Sequence, residues 1–169
     1  MSMSREFDVI IYGASGFTGR LVAEYMGKTY GNNANWAMAG RNEAKLAEVR
    51  DLVGAPSTTP LVTADAGDSD SLRAMVKRAQ CIGTTVGPYQ LYGSELVKLC
   101  AEEGTHYVDL SGEPGWMHEM ITSHQAAAEA SGARIVHSCG FDSIPFDLGV
   151  YFLQKAAIAP IGTPMPRVR

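Results

Sequence analysis

The chain has 169 residues, 46% of them hydrophobic, which is enough to bury the core of one compact domain. Its 14 basic and 18 acidic residues are mixed along the sequence and leave a formal charge of −4, so there is no basic cluster of the kind that binds nucleic acid. No stretch approaches the roughly 20 apolar residues that span a bilayer and no secretory signal precedes the first apolar run, so we expect a cytoplasmic protein without a transmembrane segment.

The cysteine and histidine residues predict neither a disulfide framework nor a metal site. Cys81, Cys100 and Cys139 are an odd number at wide spacings, and each lies in or beside a predicted buried element. This usage is typical of reduced thiols in a cytoplasm-like compartment. The four histidines lack the spacing of metal ligands, and no metal is expected.

Short apolar runs rich in β-branched residues alternate along the chain with stretches of helical periodicity. Taken in chain order, the runs predict strands at residues 7–12, 36–39, 61–63, 81–86, 106–110 and 134–137. The stretches between them predict helices at residues 17–30, 43–53, 69–79, 94–103 and 114–130. Four of these helices are followed by a glycine suited to a C-terminal cap, at Gly31, Gly54, Gly104 and Gly132.

This alternation predicts an α/β fold in which βαβ units form a parallel sheet with helices on both faces. Right-handed crossovers favour the Rossmann-type, doubly wound strand order 3-2-1-4-5-6. A further helix is predicted at about residues 144–157. The proline-rich tail at residues 159–166 has too many prolines for a helix and is interpreted as a linker.

The turn after the first strand carries three glycines at intervals of three, Gly13, Gly16 and Gly19. In a doubly wound sheet this turn lies at the switch point of strand order, where a helix N-terminus offers free N–H groups to a pyrophosphate. Gly13 is expected to permit the tight turn, Gly16 to let the backbone approach the phosphates, and Gly19 to allow close contact between helix and strand. We therefore predict a dinucleotide site that also includes Ser15, Phe17 and Thr18; a glycine turn with a purely structural role is the alternative.

The residue after the second strand indicates which dinucleotide is bound. An NAD enzyme usually places an acid there on the ribose 2′-hydroxyl, whereas this chain has Arg41, whose planar guanidinium pairs with a 2′-phosphate. NADP(H) is therefore favoured over NAD(H), with a solvated Arg41 as the alternative. Asp65, after the third strand, is predicted either to contact the adenine or to cap the following helix.

Three other strand-end clusters are predicted to lie along the path of the dinucleotide. Gly87 and Pro88 form a rigid turn after the fourth strand, and Tyr89 beside them is expected to stack on or hydrogen-bond to the cofactor. Glu113 and Asp142 follow the fifth and sixth strands and are the candidate catalytic groups for acid or base work near the nicotinamide. In the alternative interpretation, Ser111, Asp142 and Ser143 only cap the helices that follow them.

A second catalytic hypothesis comes from Tyr151 and Lys155, which form a Tyr-x-x-x-Lys pair thirteen residues after Ser138. This pattern is similar to the active site of short-chain dehydrogenases. The pair also lies on the polar side of the predicted last helix, and the fourth strand lacks the Asn-Ala-Gly of that family, so a solvated helix face is the preferred interpretation.

Five ordered motifs resemble the saccharopine dehydrogenase-like oxidoreductases, most closely the subgroup with the bacterial trans-acting enoyl reductases. The motifs are GASGFTG at residues 13–19, AGR at 39–41, VGPY at 86–89, DLSGE at 109–113 and GFDSIP at 140–145. The resemblance covers nearly the whole chain and implies an NADP(H)-binding Rossmann domain in an NADP-dependent oxidoreductase. The expected reaction is delivery of hydride to a C=C or C=N bond; a nucleotide-binding module without turnover is the alternative.

The resemblance also implies a longer protein with a second domain for catalysis or dimerisation. We accordingly expect an NADP-binding domain at residues 1–145, followed at residues 146–169 by a terminal helix and a linker to that absent domain, so that this fragment alone is inactive. A small-molecule or lipid-type substrate is implied, together with a homodimer of the full-length protein. A cytoplasmic location is expected, with peripheral attachment to a membrane as a variant of it.

Overall fold

The computed structural model of the chain describes residues 5–168, within which a single sheet of six strands is flanked by helices. In chain order the strands are β1 (Phe7–Tyr12), β2 (Trp36–Gly40), β3 (Leu61–Thr63), β4 (Ala79–Thr84), β5 (His106–Val108) and β6 (Ile135–Val136). The helices are α1 (Phe17–Thr29), α2 (Glu43–Leu52), α3 (Ser69–Arg78), α4 (Tyr89–Tyr92), α5 (Ser94–Glu103), α6 (Pro114–Ser131) and α7 (Ile144–Ile161).

The sheet has the order β3-β2-β1-β4-β5-β6 with every neighbouring pair parallel, as the sequence predicts. In the middle of the sheet, Ile10 of β1 lies between Ala37 of β2 and Ile82 of β4. All six strands therefore end at one edge, and the strand order reverses there between β1 and β4. This edge carries the loops that the sequence identifies as candidates for ligand binding.

Helices cover the two faces of the sheet unequally. On one face, α3, α5 and α6 pack over the strands in a core that includes Leu72, Leu96 and Trp116. On the other face, α1 and α2 bury Ala23 and Leu46 against the first half of the sheet. No helix covers β6 on that second face within the described residues, and Val136 remains 49% exposed there.

The helix ends follow from local side-chain chemistry. Gly31, Gly54, Gly104 and Gly132 all have positive φ, which confirms them as residues that close their helices. At the start of α2, Asn42 Oδ1 accepts a hydrogen bond from Lys45 N at 2.9 Å. The N-cap of α3 is Asp68, whose Oδ1 accepts from the backbone N–H groups of the first helical turn.

Two elements at the strand ends differ from the predictions. Strand β4 begins at Ala79, which pairs with Phe7, and ends at Thr84, two residues before its predicted end. Beyond it the chain leaves the sheet, because the N–H of Val86 bonds to Thr84 Oγ1 and Pro88 has no N–H to donate. The four-residue helix α4 follows at once and was not predicted.

The last helix is longer than predicted and the tail is more ordered than a linker. Helix α7 continues to Ile161 and closes at Gly162, which has a φ of 80°. Pro160 stands inside the last turn of α7, where its missing N–H removes one helical hydrogen bond. The Gln154 side chain donates to the Met165 carbonyl oxygen at 2.9 Å and accepts from the Met165 N–H at 2.7 Å, so the tail folds back along α7.

Helix α7 carries the largest group of exposed apolar side chains. Ala157 is its only buried residue, whereas Phe146 and Phe152 are 70% and 74% exposed. Among residues 5–168, no helix combines the length and apolar character needed to cross a membrane.

Candidate dinucleotide-binding site

The N-terminus of α1 is open to an anionic ligand. Gly16 occupies the N-cap without a side-chain capping bond, and no acidic residue lies in the first turn. The N–H of Gly16 donates to the Gly13 carbonyl oxygen at 2.9 Å, whereas Phe17 and Thr18 beside it are exposed. The first N–H groups of a helix have no partner within the helix and carry its partial positive charge. This tip can therefore accept the oxygen atoms of a phosphate group.

Two of the glycines are required by close packing of the turn. A Cβ on Gly19 would lie 2.0 Å from the Gly13 carbonyl oxygen, so α1 approaches β1 only because that side chain is absent. Gly13 has a φ of 88°, and a Cβ there would lie 2.8 Å from Thr85 Oγ1 and from Val86 Cγ2. Gly16 is exposed, and its Cβ would meet only the Gly13 carbonyl oxygen at 3.3 Å. Gly13 and Gly19 thus build the turn, and Gly16 keeps its outer side free of side-chain bulk.

Arg41 and Asp65 follow β2 and β3, the two strands on one side of β1, and both are close enough to Tyr12 at the end of β1 to affect its ionisation. Burial raises the pKa of Tyr12 to about 12; the Asp65 charge adds to the rise and the Arg41 charge opposes it. Arg41 is exposed and makes no hydrogen bond or ion pair with the other described residues. Asp65 Oδ1 accepts the N–H of Gly67 at 2.8 Å within its own loop, so Asp65 does not cap α3.

The turn after β4 presents its backbone, not its aromatic ring, at the sheet edge. Gly87 and Pro88 are exposed and are joined by a cis peptide bond. Tyr89 is only 5% exposed, and its hydroxyl donates to the Thr84 carbonyl oxygen at 3.2 Å and accepts from Leu110 N at 3.3 Å. The ring therefore packs inside the domain instead of facing the dinucleotide as expected.

The two candidate catalytic carboxylates are not brought together. Glu113 precedes α6, where its Oε1 accepts the N–H of Tyr89 at 2.8 Å and its Oε2 accepts the N–H of Gln90 at 2.9 Å. Asp142 is exposed in the loop before α7 and lines a cavity of about 570 Å³. Ser143 occupies the N-cap of α7 without a side-chain capping bond. The alternative interpretation, in which Asp142 and Ser143 only cap this helix, therefore does not account for them.

That cavity lies between the first turns of α1 and the ends of β4, β5 and β6. Its floor is mostly apolar, with Ile11 and Val108 from the sheet and Val22 from α1. Cys139 and Phe141 from the loop after β6 complete the wall. The space adjoins the α1 tip and has the apolar lining that suits a nicotinamide ring and an apolar substrate group.

The sequence interpretation missed a buried acid at the end of β5. Asp109 is 3% exposed and its carboxylate accepts hydrogen bonds from four groups: the Tyr107 hydroxyl at 2.9 Å, His137 Nδ1 at 2.6 Å, Ser111 N at 3.0 Å and Ser138 N at 2.8 Å. Desolvation acts to raise its pKa, but these hydrogen bonds outweigh desolvation and hold the pKa below its ordinary value. A signal was available, because Asp109 and His137 both end apolar runs of neighbouring parallel strands.

The short-chain dehydrogenase pattern is not assembled. The Ser138 hydroxyl donates to the Ser111 carbonyl oxygen at 2.7 Å, on the α6 side of the sheet. Tyr151 is 60% exposed on α7, and Lys155 Nζ lies 5.4 Å from the centre of its ring. No hydrogen bond joins Ser138 to Tyr151 in the described part of the chain. Within residues 5–168 there is also no cluster of three or more side chains placed to hold a metal ion.

Comparison with known proteins gives one family match and close relatives. The family model for the saccharopine dehydrogenase NADP binding domain matches residues 9–136. A trans-acting enoyl reductase of Mycobacterium leprae is 47% identical over 155 residues, and one of Mycobacterium tuberculosis is 46% identical over the same number. These alignments cover 91% of this chain but 37% of each relative, so the chain spans about a third of their length.

Solved structures share the fold at low sequence identity. Saccharopine dehydrogenase (L-Glu forming) from Saccharomyces cerevisiae superimposes with a TM-score of 0.66 at 16% identity, over 91% of this chain and 32% of that one. The triphenylmethane reductase of a Citrobacter species, complexed with NADP(H), gives a TM-score of 0.58 at 16% identity, over 89% of this chain and 56% of that one.

Proposed function

The chain belongs to the family of saccharopine dehydrogenase NADP-binding domains, and from this premise we propose that it holds NADP(H) for a reductase that delivers hydride to a C=C or C=N bond. The observation that carries the proposal is the open tip of α1, where an uncapped helix N-terminus meets the exposed backbone of Gly16. There the pyrophosphate bridge accepts hydrogen bonds from backbone N–H groups.

Arg41 supplies the preference for NADP(H). It is exposed at the end of β2, without a protein partner among the described residues, on the side of the switch point where the adenosine half lies. Its guanidinium is free to pair with a 2′-phosphate in a bidentate arrangement. Asp65 lies beside it at the end of β3 and is proposed to face the adenine.

The other half of the dinucleotide is proposed to extend over the ends of β4 and β5 into the 570 Å³ cavity. Gly87 and Pro88, exposed in the turn after β4, are proposed to contact this half of the dinucleotide, and Thr85 lines the cavity. The nicotinamide supplies the hydride, so the chain's own residues have to orient the ring, exclude water and provide a proton. Asp142 lines this cavity and is the proposed proton-transfer group.

The identity of the substrate is a property proposed for the longer protein. Because the named relatives are trans-acting enoyl reductases, we propose C=C reduction on an acyl or lipid-type substrate, with imine reduction as the alternative. Helix α7 and the tail after it are proposed to lead from this domain, residues 1–145, into a second domain that completes the substrate wall and forms a homodimer. The exposed apolar side chains of α7 support this, because they need a covering partner.

The test measures binding of NADPH and NADH to the chain by fluorescence titration, with Arg41→Ala and the control Arg134→Ala. Arg134 is exposed at the opposite edge of the sheet, just before β6. The wild type and the control should bind NADPH about tenfold or more tightly than NADH, and Arg41→Ala should lose that preference. Equal affinity of the wild type for both cofactors would remove the role of Arg41, and no affinity for either would refute the proposal.

Turnover is tested on the longer protein with deuterium-labelled NADPH and enoyl or imine acceptors. Deuterium in the reduced product is the expected result. Failure across both substrate classes, with NADPH binding intact, would instead favour a module that binds the nucleotide without turnover.

A further inference from the structure

The carboxylate of Glu113 joins the loops that follow β4 and β5. Its two oxygens accept the N–H groups of Tyr89 and Gln90, which form the start of α4, at 2.8 and 2.9 Å. Helix α4 has no capping side chain of its own, because Pro88 stands at its N-cap. Glu113 therefore caps α4 from a separate loop and fixes the position of the Gly87–Pro88 turn directly before it.

From this geometry we propose that Glu113 is a positioning residue for the nicotinamide half of the dinucleotide, because its carboxylate clamps the turn after β4 against the loop after β5. The inference rests on the NADP(H) binding proposed above. It gives Glu113 a role other than the proton transfer expected from the sequence.

The ionisation state of the Glu113 carboxyl group supports its role as a clamp. Hydrogen bonds from the backbone N–H groups of Gln90 and Tyr89 hold the pKa of Glu113 below its ordinary value. Glu113 is therefore an anion at neutral pH, and both of its oxygens are already used as acceptors. Such a group has no proton to donate to a substrate, whereas it is well suited to hold two N–H groups in place.

The clamp is itself anchored to the sheet. The N–H of Glu113 donates to Ser111 Oγ at 3.2 Å, and the N–H of Ser111 donates to Asp109 Oδ1 at 3.0 Å. Asp109 is buried at the end of β5, so the backbone of Glu113 is tied to a fixed strand end. Tyr89 makes a second connection between the same two loops through its hydroxyl, to Thr84 and Leu110.

The position of the clamp determines which part of the ligand it affects. Arg41 and the α1 tip lie over β2 and β1, so the adenosine and the pyrophosphate are held without Glu113. Only the nicotinamide half reaches the end of β4, where Gly87 and Pro88 stand. Loss of the carboxylate should therefore weaken NADPH but not a ligand that contains the 2′-phosphate and lacks the nicotinamide.

Adenosine 2′,5′-bisphosphate is such a ligand, and calorimetry should compare it with NADPH on the wild type, Glu113→Ala and Glu113→Gln. The control is Glu119→Ala, because Glu119 is exposed on α6 and lines the same surface groove as Glu113. Glu113→Ala should weaken NADPH about tenfold and leave adenosine 2′,5′-bisphosphate unchanged. Glu113→Gln keeps one acceptor oxygen and should lose about threefold. The control should bind both ligands as the wild type does.

Three results would overturn the inference. Equal weakening of both ligands by Glu113→Ala would show that the carboxylate only supports the fold, and unchanged NADPH affinity would show that it does not position the ligand. In the longer protein, a Glu113→Gln variant with wild-type NADPH affinity but a kcat that has collapsed would identify a proton-transfer group instead. A wild-type chain that binds neither ligand would refute the proposed function first, and this inference with it.

Discussion

The Nδ1 atom of His137 lies 2.6 Å from Oδ2 of Asp109, and this pair joins the carboxyl ends of β5 and β6. Two backbone N–H groups, from Ser111 and Ser138, reach the other carboxylate oxygen. One buried acid thus sets the starting direction of both loops that frame the proposed nicotinamide cavity.

Replacement of Asp109 by Asn should destabilise the domain by about 2–3 kcal/mol at neutral pH, because the amide cannot accept all of these hydrogen bonds. The folded-state pKa of Asp109 is lower than its ordinary value of 3.8. The carboxylate therefore contributes its full stability above about pH 4, and that contribution disappears as the pH falls through the lower folded value. Urea unfolding at pH 7 and at about pH 3 should show a difference in the free energy of unfolding between wild type and variant that shrinks on acidification.

Asp51→Asn is the matched control, since Asp51 is exposed at the end of α2. A difference between wild type and Asp109→Asn that stays undiminished at low pH would contradict the assignment.

Gly19→Ala should disrupt the turn after β1. The new Cβ would lie 2.0 Å from the Gly13 carbonyl oxygen and 2.8 Å from Ala14 Cα, both backbone atoms that cannot rotate away. We expect a loss of about 3 kcal/mol or more in the free energy of unfolding, together with loss of NADPH binding as α1 moves outward. Gly149→Ala is the control, because Gly149 lies within α7 with no atom close to its Cβ position, and it should be neutral or stabilising by about 0.5–1 kcal/mol. Wild-type stability and NADPH affinity in Gly19→Ala would contradict the close approach of α1 to β1.

The thiol of Cys139 should report occupancy of the cavity. Burial, and then the Asp109 charge, raise the pKa of Cys139, so its alkylation by iodoacetamide should be slow at pH 7 and accelerate towards pH 9. Saturating NADPH should slow this reaction, whereas adenosine 2′,5′-bisphosphate should not, because only NADPH reaches the cavity wall. Cys100 is fully buried and serves as the unreactive reference in peptide mass spectrometry. Equal rates with and without NADPH would place the nicotinamide elsewhere.

The chain by itself should associate through α7. Phe146 and Phe152 expose large apolar surfaces that have no covering partner among the described residues, and such surfaces promote contact between copies. In sedimentation velocity the weight-average mass should rise with concentration. A Phe146→Ser/Phe152→Ser variant should shift the chain towards the monomer. Leu52→Ser is the control, because Leu52 is 71% exposed on α2; an equal effect of that change would mean that α7 has no special role.

Local patterns predicted the sheet well, because each strand is a short apolar run bounded by turn residues. Strand β1 ends at Tyr12, just before Gly13, and helix α1 begins after Gly16, and both limits can be seen in the sequence. Strand order follows from the handedness of the crossovers, which applies to any chain with this alternation.

Features that depend on distant residues were not predictable in the same way. Helix α4 exists where Glu113, 24 residues further on, accepts its first N–H groups. Tyr89 was expected to stack on or hydrogen-bond to the cofactor, but its ring packs inward, with its centre 5.5 Å from that of the Trp116 ring. The continuation of α7 past residue 157 was missed because the prolines of residues 159–166 were taken to exclude a helix, whereas α7 includes Pro160 and ends at Ile161.

Strand β6 has only two residues and pairs with a single strand, β5, and one of its faces has no helix over it in the part of the chain that the structure describes. Amide protons in β1 and β4 at the centre should therefore exchange with solvent only when the whole domain unfolds, whereas those around β6 should exchange through small local openings. Protection against deuterium should fall steeply from the middle of the sheet to this edge. A polypeptide that covers β6 would slow exchange there first, long before it altered the melting temperature of the domain.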